Sequence, residues 1–182
     1  MLIGRRQFRV FFLLISFSIP LLPAVQARAQ IPRGDVFFGY SRAGSNLYYP
    51  NVPALNGWEA TGSVKIGKPF LAVEGDVAHY GIGADSEVPR STTVLIGPQV
   101  ALRAARFKVF GHFLLGGEHS ANNSANTPIS GGAFIYALGA GIDVPIAPFF
   151  AWRVQADRLS APTVSPGDAV HGRFTTGLVF RF

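Results

Sequence analysis

Residues 58–66 read Trp-Glu-Ala-Thr-Gly-Ser-Val-Lys-Ile, so apolar or small residues alternate strictly with polar ones. Successive side chains of a β-strand point to opposite faces, and this period of two therefore predicts a strand with two different faces. The last stretch, residues 173–182, repeats the pattern, with Phe180 and Phe182 on one face and Arg181 on the other. Both stretches favour a sheet whose two sides meet different surroundings.

The same alternation recurs along most of the chain. The predicted strands are Asp35–Ser41, Gly57–Ile66, Phe70–Tyr80, Thr92–Arg103, Phe107–Glu118, Ala133–Val144, Phe149–Leu159 and Arg173–Phe182. Segments of roughly 9–11 residues suit tilted strands that cross a membrane. The predicted fold class is all-β: an eight-stranded antiparallel up-and-down transmembrane β-barrel, preceded by a cleaved signal peptide.

The connections between these strands alternate in length. The long ones are Arg42–Asn56, Gly81–Ser91, His119–Gly132 and Ser160–Gly172, and the short ones are Gly67–Pro69, Ala104–Arg106 and Pro145–Pro148. In an up-and-down meander, alternate connections lie at opposite ends, so all the long ones share one end. Outer-membrane barrels have this asymmetry, with short periplasmic turns and longer outer loops.

Bulky apolar residues concentrate on one face of the predicted strands. This face carries Val94, Ile96, Val100, Leu102, Phe107, Val109, Phe113, Leu115, Phe134, Tyr136, Leu138, Ile142 and Val144. Side chains just fill the narrow interior of an eight-stranded barrel, so these residues would overfill it if they pointed inward. We expect them to face lipid and to leave small residues and paired charges for most of the interior, with exceptions such as Phe110 and Leu114.

Charged residues occupy the opposite face. The acids predicted to face the lumen are Glu59, Glu74, Asp76, Glu118, Asp143 and Asp157, and the bases are Lys65, Arg103, Lys108, Arg153, Arg173 and Arg181. Asp35 is a candidate seventh acid at the mouth. Buried charges need partners, so this near-balance predicts a lumen charge network that plugs the barrel. The alternative is that these charges form the solvated outer face of a soluble barrel.

The first part of the chain has the features of an export signal. Arginines within residues 5–9 precede an apolar run at residues 10–19, and the small-residue site Ala27-Arg28-Ala29 follows. This order predicts a signal peptide at residues 1–29 and a barrel domain at residues 30–182.

A membrane anchor is the alternative for this segment, but Pro20 and Pro23 argue against it because helix interiors tolerate proline poorly. Cleavage would remove four of the 16 basic residues and none of the 10 acidic ones, which lowers the net charge from +6 to +2. Nucleic-acid binding therefore loses its main support.

The sequence offers little catalytic chemistry. It contains no cysteine, which excludes disulfides, thiolate metal sites and cysteine nucleophiles. His119 and Ser120 are adjacent, so in a strand they face opposite ways. No metal, phosphate-loop or dinucleotide motif is present, so we expect no cofactor, no metal site and no enzyme activity.

The terminal Gly177-Leu178-Val179-Phe180-Arg181-Phe182, together with the signal peptide and the alternating strands, resembles the small outer-membrane β-barrel family of the OmpA-like transmembrane-barrel type. The resemblance implies that Phe180 and Phe182 act as an assembly signal for the barrel-assembly machinery, and that outer-membrane lipid surrounds the barrel. No peptidoglycan-binding periplasmic domain follows, so a cell-wall tether is not expected.

These observations favour a porin-like barrel in the cell envelope of a Gram-negative bacterium, with four long outer loops and a structural or surface-interaction role. A narrow channel, a soluble periplasmic ligand-binding barrel and a lipid A-modifying enzyme are the alternatives. A surface ligand is not identified by the sequence.

Overall fold

The computed structural model describes residues 33–44, 54–81, 90–122, 129–162 and 170–182. Eight strands run in chain order around a closed barrel. They are β1 (Gly34–Ala43), β2 (Leu55–Lys65), β3 (Leu71–Tyr80), β4 (Arg90–Ala104), β5 (Phe107–Asn122), β6 (Ile129–Ala147), β7 (Phe150–Ser160) and β8 (Val170–Arg181). Among the described residues, no helix is long and apolar enough to cross a membrane.

Each strand pairs antiparallel with the next, and β1 closes the barrel against β8, from Asp35 opposite Arg181 to Ala43 opposite Arg173. Closure leaves no free sheet edge. The predicted all-β, up-and-down barrel of eight antiparallel strands is confirmed. The predicted signal peptide, residues 1–29, and its boundary with the barrel domain lie outside the described residues.

Long and short connections fall at opposite ends. Residues 44–54, 81–89, 123–128 and 161–169 join strands at one end, here called the long-connection end. Residues 66–70, 105–106 and 148–149 join strands at the other, the short-connection end. The asymmetry expected from the sequence is therefore present, but the predicted long connection His119–Gly132 is shortened to residues 123–128, because β5 and β6 extend into it. The structure of the long connections lies largely outside the described residues.

The strand bounds differ from the sequence prediction mainly in β5 and β6. Their ladder continues beyond the predicted end of β5 at Glu118 to the pair Asn122 and Ile129. Backbone hydrogen bonds do not require alternating apolar side chains. The β5–β6 ladder therefore extends beyond the residues whose alternation the prediction used. At the other end of β6, a register shift between Pro145 and Ala147 absorbs a proline that cannot donate to the ladder.

The outer face of the barrel is mostly apolar. Side chains such as Val94, Ile96, Leu102 and Phe134 are exposed on it, as predicted. All seven acidic residues of the described part of the chain are at most 7% exposed and point into the lumen. A water-soluble barrel has the reverse arrangement, with apolar side chains inside and charges outside.

The lumen also holds more apolar side chains than the sequence predicted. A cluster on β4 to β7 contains Leu95, Leu114, Ile135 and Leu159, and Phe37 packs with Val179 and Ala151 towards the short-connection end. The expectation of an interior made mostly of small residues and charges was therefore incomplete. The physical reason is that small lumen residues, such as Ala137 and Ala151, leave room for larger neighbours on adjacent strands.

Candidate functional site

The lumen near the short-connection end contains a group of ion pairs that we call the mouth cluster: Asp35, Lys108, Asp143, Arg153 and Arg181. Lys108 Nζ lies 2.5 Å from Asp35 Oδ2 and 3.8 Å from Asp143 Oδ2. Arg181 Nη2 reaches Asp143 Oδ2 at 3.4 Å. Three bases thus share two carboxylates, so the cluster carries excess positive charge.

Arg153 is the centre of the mouth cluster and is fully buried. Its guanidinium donates to both oxygens of Asp143, from Nε to Oδ1 at 2.7 Å and from Nη2 to Oδ2 at 3.2 Å, and Nη2 also donates to Asp35 Oδ1 at 3.1 Å. The rings of Phe37 and Phe110 lie 5.2 Å and 4.4 Å from the guanidinium. These contacts combine bidentate carboxylate binding with cation–π attraction, which accounts for the inward orientation of Phe37 and Phe110.

A second group lies deeper in the lumen, and we call it the central cluster: Glu59, Glu74, Asp76, His112, Asp157 and Arg173. Arg173 Nε lies 2.6 Å from Asp157 Oδ2 and 3.3 Å from Glu59 Oε2, and its Nη1 lies 3.0 Å from Asp76 Oδ1. One guanidinium therefore joins carboxylates from β2, β3 and β7 across the lumen.

His112 joins two further carboxylates in this cluster. Its Nδ1 lies 3.0 Å from Glu74 Oε1 and its Nε2 lies 2.9 Å from Asp157 Oδ1. An ionised carboxylate accepts hydrogen bonds and cannot donate them, so both contacts are satisfied together when both ring nitrogens carry hydrogen. Even with a cationic His112, two bases face four acids, so acidic side chains outnumber basic ones in the central cluster.

Neutral side chains link the carboxylates further. Gln155 Nε2 donates to Glu59 Oε1 at 3.1 Å and to Asp157 Oδ2 at 2.9 Å. Gln99 donates to Glu74, and the hydroxyl of Thr175 donates to Glu59 Oε2 at 2.8 Å. Between the two clusters, Arg153 Nη1 donates to Thr61 Oγ1 at 3.3 Å. Arg153 therefore reaches from the mouth cluster towards the centre of the lumen, since Thr61 is the ladder partner of Asp76.

Two glycines of β6 make room for these groups. A Cβ on Gly139 would overlap the Asp157 carboxylate and His112 Nε2, and a Cβ on Gly141 would lie 2.5 Å from the edge of the Phe110 ring. The sequence placed both glycines on the lumen face, where small residues were expected to leave room for neighbours. The neighbours are Asp157 and His112 of the central cluster beside Gly139, and Phe110, which packs on Arg153, beside Gly141.

Glu118 lies apart from both clusters, nearer the long-connection end. It accepts hydrogen bonds from the hydroxyls of Ser91 and Ser120, the latter at 3.1 Å, and it has no ion pair within the described ranges. His119, next to it in β5, is exposed on the outer face, whereas Ser120 is buried. Glu118, His119 and Ser120 therefore do not converge as the acid, base and nucleophile of a catalytic triad would.

Lys65 and Arg103 lie at the short-connection mouth, and neither forms an ion pair with a residue that the structure describes. The other predicted lumen residues fall as follows: Lys108, Asp143, Arg153 and Arg181 in the mouth cluster, Glu59, Glu74, Asp76, Asp157 and Arg173 in the central cluster, and Glu118 near the long-connection end. Phe180 and Phe182, the predicted assembly signal, are exposed on the outside, and Phe150 packs against Phe180 at 5.5 Å between ring centroids.

Several members of the network were not among the predicted lumen charges, and Gln99, His112 and Gln155 are the largest of them. Each has the same strand parity as a predicted charged residue; His112, for example, lies four positions after Lys108 in β5. Parity therefore could have placed them in the lumen. They were not predicted because amides carry no charge to pair, and because a lone histidine is more often an ordinary packed or interfacial residue.

The barrel is similar to several solved structures. Neisserial surface protein A has a TM-score of 0.62 and 12% identity, over 82% of this chain and 96% of that one. The attachment invasion locus protein Ail of Yersinia pestis has a TM-score of 0.56 and 17% identity, over 83% and 99%. The outer membrane protein OprG from Pseudomonas aeruginosa has a TM-score of 0.54 and 9% identity, over 83% and 96%.

No protein-family model and no curated protein sequence matches the chain. At these low identities the likeness to the solved structures concerns the fold. The chain therefore has the eight-stranded barrel fold of these bacterial surface and outer-membrane proteins.

Proposed function

We propose that this protein is a non-enzymatic bacterial outer-membrane barrel that presents its four long connections at the cell surface and has a structural or surface-interaction role. The observation that carries the proposal is the distribution of side chains. The described acids are all buried in the lumen, while exposed Val, Ile, Leu and Phe side chains surround the barrel. Hydrocarbon is the solvent that suits such an outer face.

The closed lumen supports a role for the surface rather than for transport. Arg153 and Arg173 cross the lumen at two levels and are each bound by two or more carboxylates. Buried ion pairs with several hydrogen bonds rigidify an interior, because breaking one leaves an uncompensated charge. The lumen is therefore better suited to holding the barrel shut than to conducting ions.

The comparisons support the surface role by analogy of fold. Neisserial surface protein A is described as a surface protein, and Ail as an attachment invasion locus protein. In such barrels a rigid scaffold positions variable loops, and loops carry binding function more often than the scaffold does. The long connections of this chain are the corresponding candidates.

Single-cysteine labelling tests the location and the orientation together. The natural chain has no cysteine, so a variant contains one reactive thiol only. A membrane-impermeant maleimide added to intact cells is expected to label Pro162→Cys, near the long-connection end, and to leave Arg106→Cys unlabelled until the outer membrane is permeabilised. Labelling of Arg106→Cys alone would reverse the orientation, and recovery of both variants in the aqueous periplasmic extract would reject the membrane location.

Planar-bilayer recording tests the closed lumen. The wild-type protein is expected to show no discrete openings above the background of protein-free bilayers. Regular single-channel openings would replace the structural role with that of a narrow channel. An unchanged lipid A mass profile on overexpression is expected as well, and a modified profile would point to an enzyme.

A further inference from the structure

The short-connection mouth of the barrel holds a cavity of about 100 Å³, and half of its ten lining residues are basic. The bases are Arg33, Lys65, Arg103, Lys108 and Arg181, and Asp35 is the one acidic side chain among the lining residues. Since water occupies about 30 Å³ in the liquid, a cavity of this size holds roughly three waters or one tetrahedral oxyanion. The described lining thus has the charge and the room for an anionic group.

These bases exceed what the neighbouring acids can neutralise. Asp35 is already bound by Lys108 and Arg153, and Asp143 by Arg153 and Arg181. Lys65 lies within electrostatic range of three bases, Arg33, Arg103 and Lys108, and of one acid, Asp35, which acts on it more weakly than any of the three. Arg103 also lies directly opposite Lys108 in the β4–β5 ladder, an arrangement that is unfavourable for like charges. An external anion would relieve this repulsion.

The cavity continues towards the outer apolar face. A second, more open cavity shares Arg33, Lys65 and Arg103 with the first, and its lining includes Phe70 and Leu102. Phe70 and Leu102 are both exposed on the outside of the barrel, and the backbone bond from Ala101 N to Phe70 O, 2.8 Å long, holds their strands together here. A basic pocket therefore opens directly onto an apolar wall.

From this juxtaposition we propose that the mouth binds the phosphate of an anionic phospholipid, with the phosphate between Lys65, Arg103 and Arg33 and an acyl chain along Phe70 and Leu102. Lys and Arg bind phosphate through charge-assisted hydrogen bonds. A zwitterionic headgroup is disfavoured, because the nearby acids are occupied and offer no partner for its cationic group. Inorganic phosphate has the same charged chemistry but lacks the acyl chain.

This inference rests on the proposed function, because the site meets phospholipid in the cell only if the barrel lies in a membrane. The binding experiment itself requires only a folded barrel. The protein is refolded in octyl glucoside, an uncharged detergent, and titrated calorimetrically at low salt with dihexanoyl phosphatidylglycerol. The double variant Lys65→Gln/Arg103→Gln is expected to bind this lipid about tenfold more weakly than wild type. The charge-preserving variant Lys65→Arg/Arg103→Lys is expected to bind within about threefold of wild type.

A matched control removes two bases elsewhere: Arg42→Gln/Arg158→Gln, near the long-connection end, is expected to bind like wild type. Dihexanoyl phosphatidylcholine and inorganic phosphate are expected to bind more weakly than phosphatidylglycerol. Equal affinity of wild type and Lys65→Gln/Arg103→Gln for the lipid would overturn the site. Equal affinity of wild type for inorganic phosphate and for phosphatidylglycerol would overturn the lipid as its occupant.

Each variant is first checked for a heat-modifiable band on SDS gels, so that lost binding is separated from lost folding. A folded wild-type barrel that does not bind phosphatidylglycerol would overturn this inference and leave the proposed surface role intact. Failure of the proposed function is seen separately, as recovery of the protein in the aqueous extract during cysteine labelling.

Discussion

Gly139 of β6 lies directly opposite Asp157 of β7, and the Asp157 carboxylate occupies the space that a Cβ at position 139 would take. The same carboxylate is bound by His112 and Arg173. The absence of a side chain at one position is therefore what allows three charged groups to meet at the centre of the lumen.

Gly139→Ala is expected to destabilise the barrel by about 1–3 kcal/mol, because the new methyl group must displace a carboxylate that two bases hold in place. The measurement is the urea midpoint in lipid vesicles, followed by the fluorescence of Trp58 and Trp152. Gly75→Ala is the matched control, since nothing lies within 4 Å of its added Cβ. An equal midpoint for the two variants would contradict the steric role of Gly139.

Arg153→Met is expected to destabilise the barrel by about 3–5 kcal/mol, since it leaves Asp143 and Asp35 buried with fewer cations. Arg153→Lys should lower the free energy of unfolding by less, because lysine keeps the positive charge. Some loss is still expected, because lysine lacks the planar guanidinium that binds both oxygens of Asp143. The free energy of unfolding in vesicles measures both. Arg158→Met, an exposed arginine of the same strand, serves as the control, and a loss as large as that of Arg153→Met would argue against the buried network.

Arg173 and Asp76 are expected to be energetically coupled. Arg173→Met leaves the Asp76 carboxylate without its cation, so adding Asp76→Asn should restore part of the lost stability, with a coupling of about 0.5–3 kcal/mol in a double-mutant cycle. Glu118→Gln replaces Asp76→Asn in the control cycle, because Glu118 has no ion pair in the described part of the chain. Strict additivity in both cycles would show that the central cluster does not act as a unit.

The turn between β4 and β5 offers a stabilising change. Ala105 has a φ of +55°, in the left-handed region that costs an L-residue about 1–2 kcal/mol. Ala105→Gly is therefore expected to raise the urea midpoint, whereas Ala104→Gly, one residue earlier within β4, should lower it. A decrease for Ala105→Gly would indicate that the methyl group contributes more than the backbone strain costs.

The faces of the strands could be predicted from the sequence because a strand has a fixed period. The alternation at residues 58–66 placed Glu59 inside and Val64 outside, as observed. The partners inside the lumen could not be predicted in the same way. The parity of a position in its strand tells which side of the sheet a side chain faces, but not its height along the barrel axis. That height depends on how eight tilted strands are staggered. Arg173 therefore could not be matched to Glu59 and Asp76 in advance.

The excess of bases at the mouth could not be predicted from the sequence either, because strand parity does not give the height of a side chain along the barrel axis. Six acids and six bases on one face suggested a balanced network. The structure separates them along the lumen, so that Lys65 and Arg103 lie far from the acid-rich centre around Asp76. Equal numbers of acids and bases in the whole lumen thus do not mean equal numbers at each height along the barrel axis.

The central claim, that the apolar outer face meets lipid, is tested most directly by the free energy of unfolding from phospholipid vesicles of Ile96→Arg and Ile146→Arg. The two isoleucines are similarly exposed, at 62% and 59%, but Ile96 lies midway along β4 and Ile146 close to the short-connection end. Ile96→Arg is expected to cost about 2–4 kcal/mol and Ile146→Arg about 0–1 kcal/mol, because the penalty for a charge follows its depth in the bilayer. Equal and small costs at both positions would contradict the claim and indicate a barrel surrounded by water.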